Sequence, residues 1–112
     1  MPEVVLNSGQ KMPILGFGTG TVPLPPPHVL IPAFIEAIKV GYRHFDTAAY
    51  YGSEEPLGQA IAQALDQGLI KSRSEIFVTS KLWCTEAHPG LVLPALKSSL
   101  QYNFVTLLFD SY

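Results

Sequence analysis

The sequence has 112 residues, 47% of them hydrophobic and 14% charged, with a formal net charge of −2. That length allows one domain at most, and the composition excludes a disordered tail, while scattered Lys and Arg exclude a phosphate-backbone surface and hence a nucleic-acid partner. The start Met1-Pro2-Glu3 carries no secretory pattern, no apolar run approaches the ~20 residues of a membrane span, and the single Cys84 fits a reducing compartment, so a soluble cytoplasmic protein with no membrane partner is expected.

Val4-Val5-Leu6 and Met12-Pro13-Ile14 flank Asn7-Ser8-Gly9-Gln10, which predicts a short β-hairpin. Leu15 to Gly20 is an apolar stub dissolving into glycine, and Pro23-Leu24-Pro25-Pro26-Pro27 predicts an extended, non-helical loop. From Pro32 the period changes. Ile31, Phe34, Ile35 and Ile38 fall on one face of a helix that Gly41 ends. Tyr42 to Asp46 reads as a strand. Ser53 is placed to cap a second helix, with Leu57, Ile61, Ala64 and Leu65 on one face, Glu54 and Glu55 in its first turn and Gly68 at its end. Ile76 to Ser80 is a further strand, continuous enough to be buried on both sides. A third helix is predicted from about Pro89 to Leu100 with Leu93, Leu96 and Leu100 as its stripe, then a last strand over Phe104 to Phe109.

Strands alternate with helices after the hairpin, the pattern of a parallel sheet with helical crossovers. A doubly wound dinucleotide-binding sheet would show Gly-x-Gly-x-x-Gly opening its first helix, and Gly16-Phe17-Gly18-Thr19-Gly20 has other spacing and runs into prolines. The expected fold class is therefore α/β: the N-terminal part of a (β/α)8 TIM barrel preceded by a short β-hairpin. Such barrels take about 250 residues, so the barrel is expected to be incomplete. The positive mean hydropathy of +0.23 fits a chain made for a larger protein.

In a parallel barrel, reactive groups gather at the carboxyl ends of the strands. Asp46 ends one strand, Lys81 follows the next, and Tyr51 lies five residues after Asp46 on the loop leaving its strand. An acid, a phenol and an amine on one spot suit proton delivery to a carbonyl oxygen during hydride transfer, with the lysine cation easing loss of the phenolic proton. Taken alone, these residues better suit a loop-capping aspartate and a solvated lysine. His44 alternates with Asp46 and is expected one layer deeper, as a core histidine. His28, His88 and Cys84 have no metal-ligand spacing, so no metal is expected, and Cys84 reads as an inert thiol.

Gly41-Tyr42-Arg43-His44-Phe45-Asp46-Thr47-Ala48, followed by Glu54-Glu55-Pro56-Leu57-Gly58, resembles the first signature of the aldo-keto reductases. Leu15 to Thr19 and Thr79-Ser80-Lys81-Leu82-Trp83 are similar to two further segments of that family in the same order. Gly68 to Arg73 and Trp83-Cys84 resemble its plant branch, which includes chalcone and codeinone reductases. The resemblance implies an NADP(H)-dependent oxidoreductase, usually monomeric, that reduces small carbonyl compounds to alcohols. It implies catalytic roles for Asp46, Tyr51 and Lys81, with Tyr51 as proton donor and Tyr50 as its rival. It further implies cofactor contacts by Gly18, Thr19 and Asp46, and a substrate pocket touched by Tyr51 and Trp83.

The likeness is expected to end near residue 100 of a single partial domain spanning 1–112. The family continues with a strand ending in histidine, whereas Ser111 takes that position here or the position lies past Tyr112. The family's phosphate-binding residues lie further downstream. Two readings follow: a carbonyl-reducing oxidoreductase, or a truncated, inactive piece that binds a partner or itself through unpaired sheet edges.

Overall fold

The computed structural model describes residues 2–102. The strand expected over Phe104 to Phe109 and the position of Ser111 lie outside the described residues.

The hairpin forms as expected, displaced by one residue: β1 (Glu3–Val5) pairs antiparallel with β2 (Lys11–Pro13), and Gly9 at φ +90° supplies the left-handed turn residue. The glycine-rich stub is not featureless. Phe17–Gly18 is a strand, β3, parallel to β4 (His44–Asp46), which is parallel in turn to β5 (Phe77–Thr79). In the order β3-β4-β5, Gly18 sits beside Asp46 and Asp46 beside Thr79, so three strand ends lie level. The sheet is parallel and open among the described residues.

Two helices supply the crossovers. The first, α1 (Pro27–Lys39), begins earlier than the proline cluster suggests. Pro27 sits in the first turn, where its missing N–H would have no helical partner and its fixed φ already suits a helix. Pro32 lies inside, at the sixth residue and past the first turn, so the helix lacks the backbone bond its N–H would have made to His28 O. The second is α2 (Glu54–Asp66). Both end the same way. Gly41 (φ +112°) donates to Ile38 O and Tyr42 to Ala37 O; Gly68 (φ +72°) donates to Leu65 O and Leu69 to Ala64 O. These are Schellman closures, which satisfy the last carbonyls and turn the chain toward the next strand.

The core lies between the sheet and these helices. Phe34, Ile35 and Ile38 of α1 and Leu57, Ile61 and Ala64 of α2 are buried with Phe45 and Val78 from the strands, whereas Leu65 faces out. Phe45 is fully buried and meets Phe17 and Phe34 with ring centroids 5.6 and 6.1 Å away. In β5 only Val78 is buried; Phe77 and Thr79 are half-buried, so the strand is covered on one face rather than two among the described residues. The third helix, α3 (Val92–Tyr102), buries Ala95 and Ser99, with Leu96 and Leu100 half-buried and Leu93 exposed. The buried positions are thus two small residues four apart, on one helix face, which a leucine-based reading of the helix does not register.

A short helical turn, Arg73–Glu75, precedes β5 and is closed by Glu75, whose carboxylate accepts the backbone N–H groups of Lys71 and Ser72. Those bonds hold the carboxyl below its ordinary value. A depressed carboxylate stabilises the fold above its unfolded-state value and loses that contribution as pH falls through its folded-state value. On acidification, the Glu75 carboxyl carbon resonance should therefore shift only below the ordinary glutamate value. Glu75→Gln should remove the matching acid-side loss of structure. A Glu75 that titrates at or above the ordinary glutamate value would contradict the assignment.

Candidate active site

The three strand ends are tied together before any reactive group is considered. Thr19 donates its backbone N–H to Asp46 O at 3.2 Å, and its hydroxyl donates to the same carbonyl at 2.9 Å. That hydroxyl also meets Ser53 Oγ at 2.6 Å. Ser53 is therefore not a side-chain cap of α2, as its position suggests, but a buried clasp between the α2 start and the loop after β3. Thr47 donates its N–H and hydroxyl to Thr79 O at 2.7 and 2.8 Å, carrying the β4–β5 pairing one residue further. Buried Ser80 donates to the buried Glu54 carboxylate at 2.8 Å.

Ser80→Ala would deprive that carboxylate of a donor. Leaving a buried acceptor short of a partner costs about 1–3 kcal/mol. A lower urea midpoint with unchanged slope is the expected result, and an unchanged midpoint would show that the Glu54 clasp is dispensable.

On this frame the expected acid, phenol and amine come together. Lys81 donates to both Asp46 carboxylate oxygens at 2.9 Å, to Thr47 O at 3.2 Å and to Tyr51 Oη at 3.4 Å. Its Nζ lies 5.0 Å from the Tyr51 ring centroid. Partial desolvation opposes the charge on Lys81, but the hydrogen bonds and charge of Asp46, with a smaller contribution from Tyr51, outweigh it and hold the ammonium above its ordinary lysine value. The cluster faces outward at the strand ends: the side chains of Lys81 and Asp46 are 47% and 40% exposed, open enough for a reactant to reach them.

Tyr51 closes the helical turn Ala49–Tyr51, and Gly52 (φ +74°) swings the chain from it into α2. Tyr50, its neighbour, is directed elsewhere. Its ring stacks on Trp83 at 3.9 Å between centroids and 16° between planes, and both rings are exposed. Gly18 is exposed, and a Cβ built on it would meet nothing within 4 Å, so the strand end there is open. Thr19 is buried, with its hydroxyl committed to Asp46 and Ser53.

His44 is half-buried and held at both ring nitrogens, Nδ1 by Pro13 O at 2.9 Å and Nε2 by Thr79 Oγ1 at 2.8 Å. It joins the hairpin to the sheet, a structural role, but from a half-buried position rather than the core one its alternation with Asp46 implied. Cys84 is exposed, and among the described residues no three His, Cys, Asp or Glu side chains form a metal site. No helix of the described residues is long and apolar enough to cross a membrane. Reading along the chain does not single out the Ser53, Thr47 and Glu54–Ser80 ties. Their only signal is that each lies within a residue or two of a strand end or helix start.

Comparison with known proteins agrees with the residue pattern. A profile of the Aldo/keto reductase family matches residues 15–107, seven residues beyond the expected end of the likeness. Protein REDOX 2 of Catharanthus roseus is 59% identical over 102 residues, covering 90% of this chain and 32% of that protein. NADPH-dependent codeinone reductase 1-4 of Papaver somniferum is 58% identical over 101 residues, with 90% and 32% covered. D-galacturonate reductase of Fragaria ananassa is 53% identical over 116 aligned positions, covering all of this chain and 36% of that protein. The chain thus spans about a third of the length of the curated relatives it matches.

Proposed function

The chain belongs to the aldo/keto reductase family, and from that premise we propose that it carries the proton-delivering part of an NADPH-dependent carbonyl reductase site. The observation that supports this reading most directly is Lys81 bridging the Asp46 carboxylate and the Tyr51 hydroxyl at the strand ends. The proposed fold of the complete protein is the family's (β/α)8 barrel, with β3, β4 and β5 as its first three strands.

The residues fit the nicotinamide end of the cofactor. Gly18 leaves open backbone beside Asp46, and the Asp46 and Lys81 side chains are polar and accessible. When bound, NADPH supplies a hydride for the carbonyl carbon. Tyr51 then gives its hydroxyl proton to the carbonyl oxygen as that oxygen takes on negative charge. Lys81, 3.4 Å from the phenolic oxygen, stabilises the phenolate left behind, and Asp46 keeps the ammonium charged and aimed. Proton uptake from water restores the phenol. Thr19 fixes the Asp46 strand end, and exposed Trp83 offers a flat wall for the carbonyl substrate, with Tyr50 stacked behind it.

The test joins residues 1–100 to the roughly two-thirds of codeinone reductase that lies beyond the matched segment. Carbonyl-dependent loss of NADPH absorbance with a simple aromatic aldehyde is expected. Failure of a folded, NADPH-binding chimera to turn over would reject the reading. A second reading, a non-catalytic protein pairing through sheet edges, is favoured by one observation: β3 and β5 each pair only with β4 among the described residues. It predicts strand-mediated association of the 112-residue chain and no turnover in the chimera.

A further inference from the structure

The loop after β3 has, as its second residue, a glycine whose backbone does not need one. Gly20 is not among the positive-φ glycines, so an alanine there would meet no conformational strain. What it would meet is a ring. A Cβ built on Gly20 falls 2.9 Å from Tyr51 Cζ, 3.0 Å from Cε2 and 3.2 Å from Cε1, the hydroxyl end of the phenol. Carbon atoms at rest are about 3.5–4.0 Å apart, so one side must give way.

The backbone at residue 20 is poorly placed to move. Its neighbour Thr19 is buried and bonded twice to Asp46 O and once to Ser53, and Gly18 is in register with Asp46. The Tyr51 backbone is held as well, by its N–H to Ala48 O at 3.1 Å and by Ala49 N–H to Lys81 O at 3.3 Å. The ring alone is free to turn. Turning it carries Oη away from Lys81, where 3.4 Å leaves no slack before the hydrogen bond is lost.

We propose that Gly20 is a positioning residue for Tyr51: its missing side chain is the space in which the phenol lies, and so sets where the proton-donating oxygen sits. The inference rests on the reading of Tyr51 as proton donor. It assigns to the loop after β3 a task in catalysis separate from any contact with cofactor.

Two readouts test it. In the 112-residue chain, one Gly20 α-proton should be shifted upfield by the Tyr51 ring and share nuclear Overhauser cross-peaks with the ring protons, and Tyr51→Leu should abolish both. Absence of these signals from the unaltered chain overturns the packing and the proposal. In the chimera, Gly20→Ala should lower kcat about ten- to a hundredfold, because small misplacements of a reacting group act on that scale. The melting temperature should stay within about 2 °C of the parent. Gly90→Ala, whose added methyl meets nothing within 4 Å, serves as the silent control. On a Tyr51→Phe background, Gly20→Ala should cost less than about twofold, since the hydroxyl it displaces is already gone. Full kcat in Gly20→Ala, an undiminished loss on the phenylalanine background, or a larger fall in melting temperature each overturns the proposal. If Tyr51→Phe itself stays active, the donor reading has failed first, and that failure is visible without Gly20→Ala.

Discussion

Tyr51→Phe in the chimera should lower kcat by about 10²- to 10⁴-fold while leaving NADPH binding intact, the range over which general acid catalysis contributes. The substitution keeps the ring, its contact with Gly20 and the cation lying over its face, and removes only the oxygen 3.4 Å from Lys81. Loss of turnover with retained cofactor affinity thus isolates the proton. Tyr50→Phe is the comparison, since it deletes a hydroxyl one residue away. Its ring is committed to the stack on Trp83, and a change of less than about threefold is expected, with any effect in KM for the substrate. Equal losses from the two substitutions, or a mild effect of Tyr51→Phe, would remove Tyr51 from the donor role. Stopped-flow and steady-state rates together decide the matter, because slow product release can hide a change in the chemical step.

Lys81→Met should cost about 10²- to 10³-fold in kcat, the scale on which removal of one aimed donor acts in an active site. Two groups lose their partner at once: the Asp46 carboxylate, held at both oxygens, and the Tyr51 hydroxyl. The pH dependence supplies the sharper check. Lys81 is raised above its ordinary value chiefly by Asp46, against partial desolvation. A raised cation is fully present below the unfolded-state lysine value and is lost only as pH rises through its folded-state value. The alkaline limb of kcat governed by Lys81 should therefore lie above the ordinary lysine range. Asp46→Asn should draw it downward, since it removes the charge that raises the ammonium. An alkaline limb unmoved by Asp46→Asn would mean that another group sets it.

Much of this arrangement is legible along the chain because it follows from periodicity. The alternation of strand and helix, the glycines that close α1 and α2, and the placement of Asp46 and Lys81 at strand ends all come from local patterns with a physical cause. Where the reading departs from the structure, the deciding contact is remote in sequence. Pro27 reads as part of a loop because a proline cluster suggests interruption, yet its fixed φ starts α1. Ser53 has the identity and position of a cap, but Thr19, 34 residues away, takes its hydroxyl. Leucines mark a stripe on α3, whereas the positions that go inside are Ala95 and Ser99. Gly20 leaves no trace in any pattern, because its reason is the Tyr51 ring rather than its own backbone. The preference for Tyr51 over Tyr50 as the proposed donor rests in sequence on spacing alone; in the structure Lys81 meets the Tyr51 hydroxyl while Tyr50 stacks on Trp83.

The twin Schellman closures have a consequence for how the chain is made. Each helix is stopped by bonds reaching back no more than five residues, from Tyr42 to Ala37 and from Leu69 to Ala64. Neither stop waits for anything synthesised later. As the polypeptide leaves the ribosome, α1 can end and aim β4 before α2 exists, and α2 can end before β5 has emerged. Domains are built from the N-terminus at about 5–20 residues per second, far slower than a helix forms. The stop signal of each helix is therefore already present in the chain before the following strand emerges. Substituting Gly41 or Gly68 with a β-branched residue would forfeit this vectorial order, letting a helix overrun into the strand that should follow it.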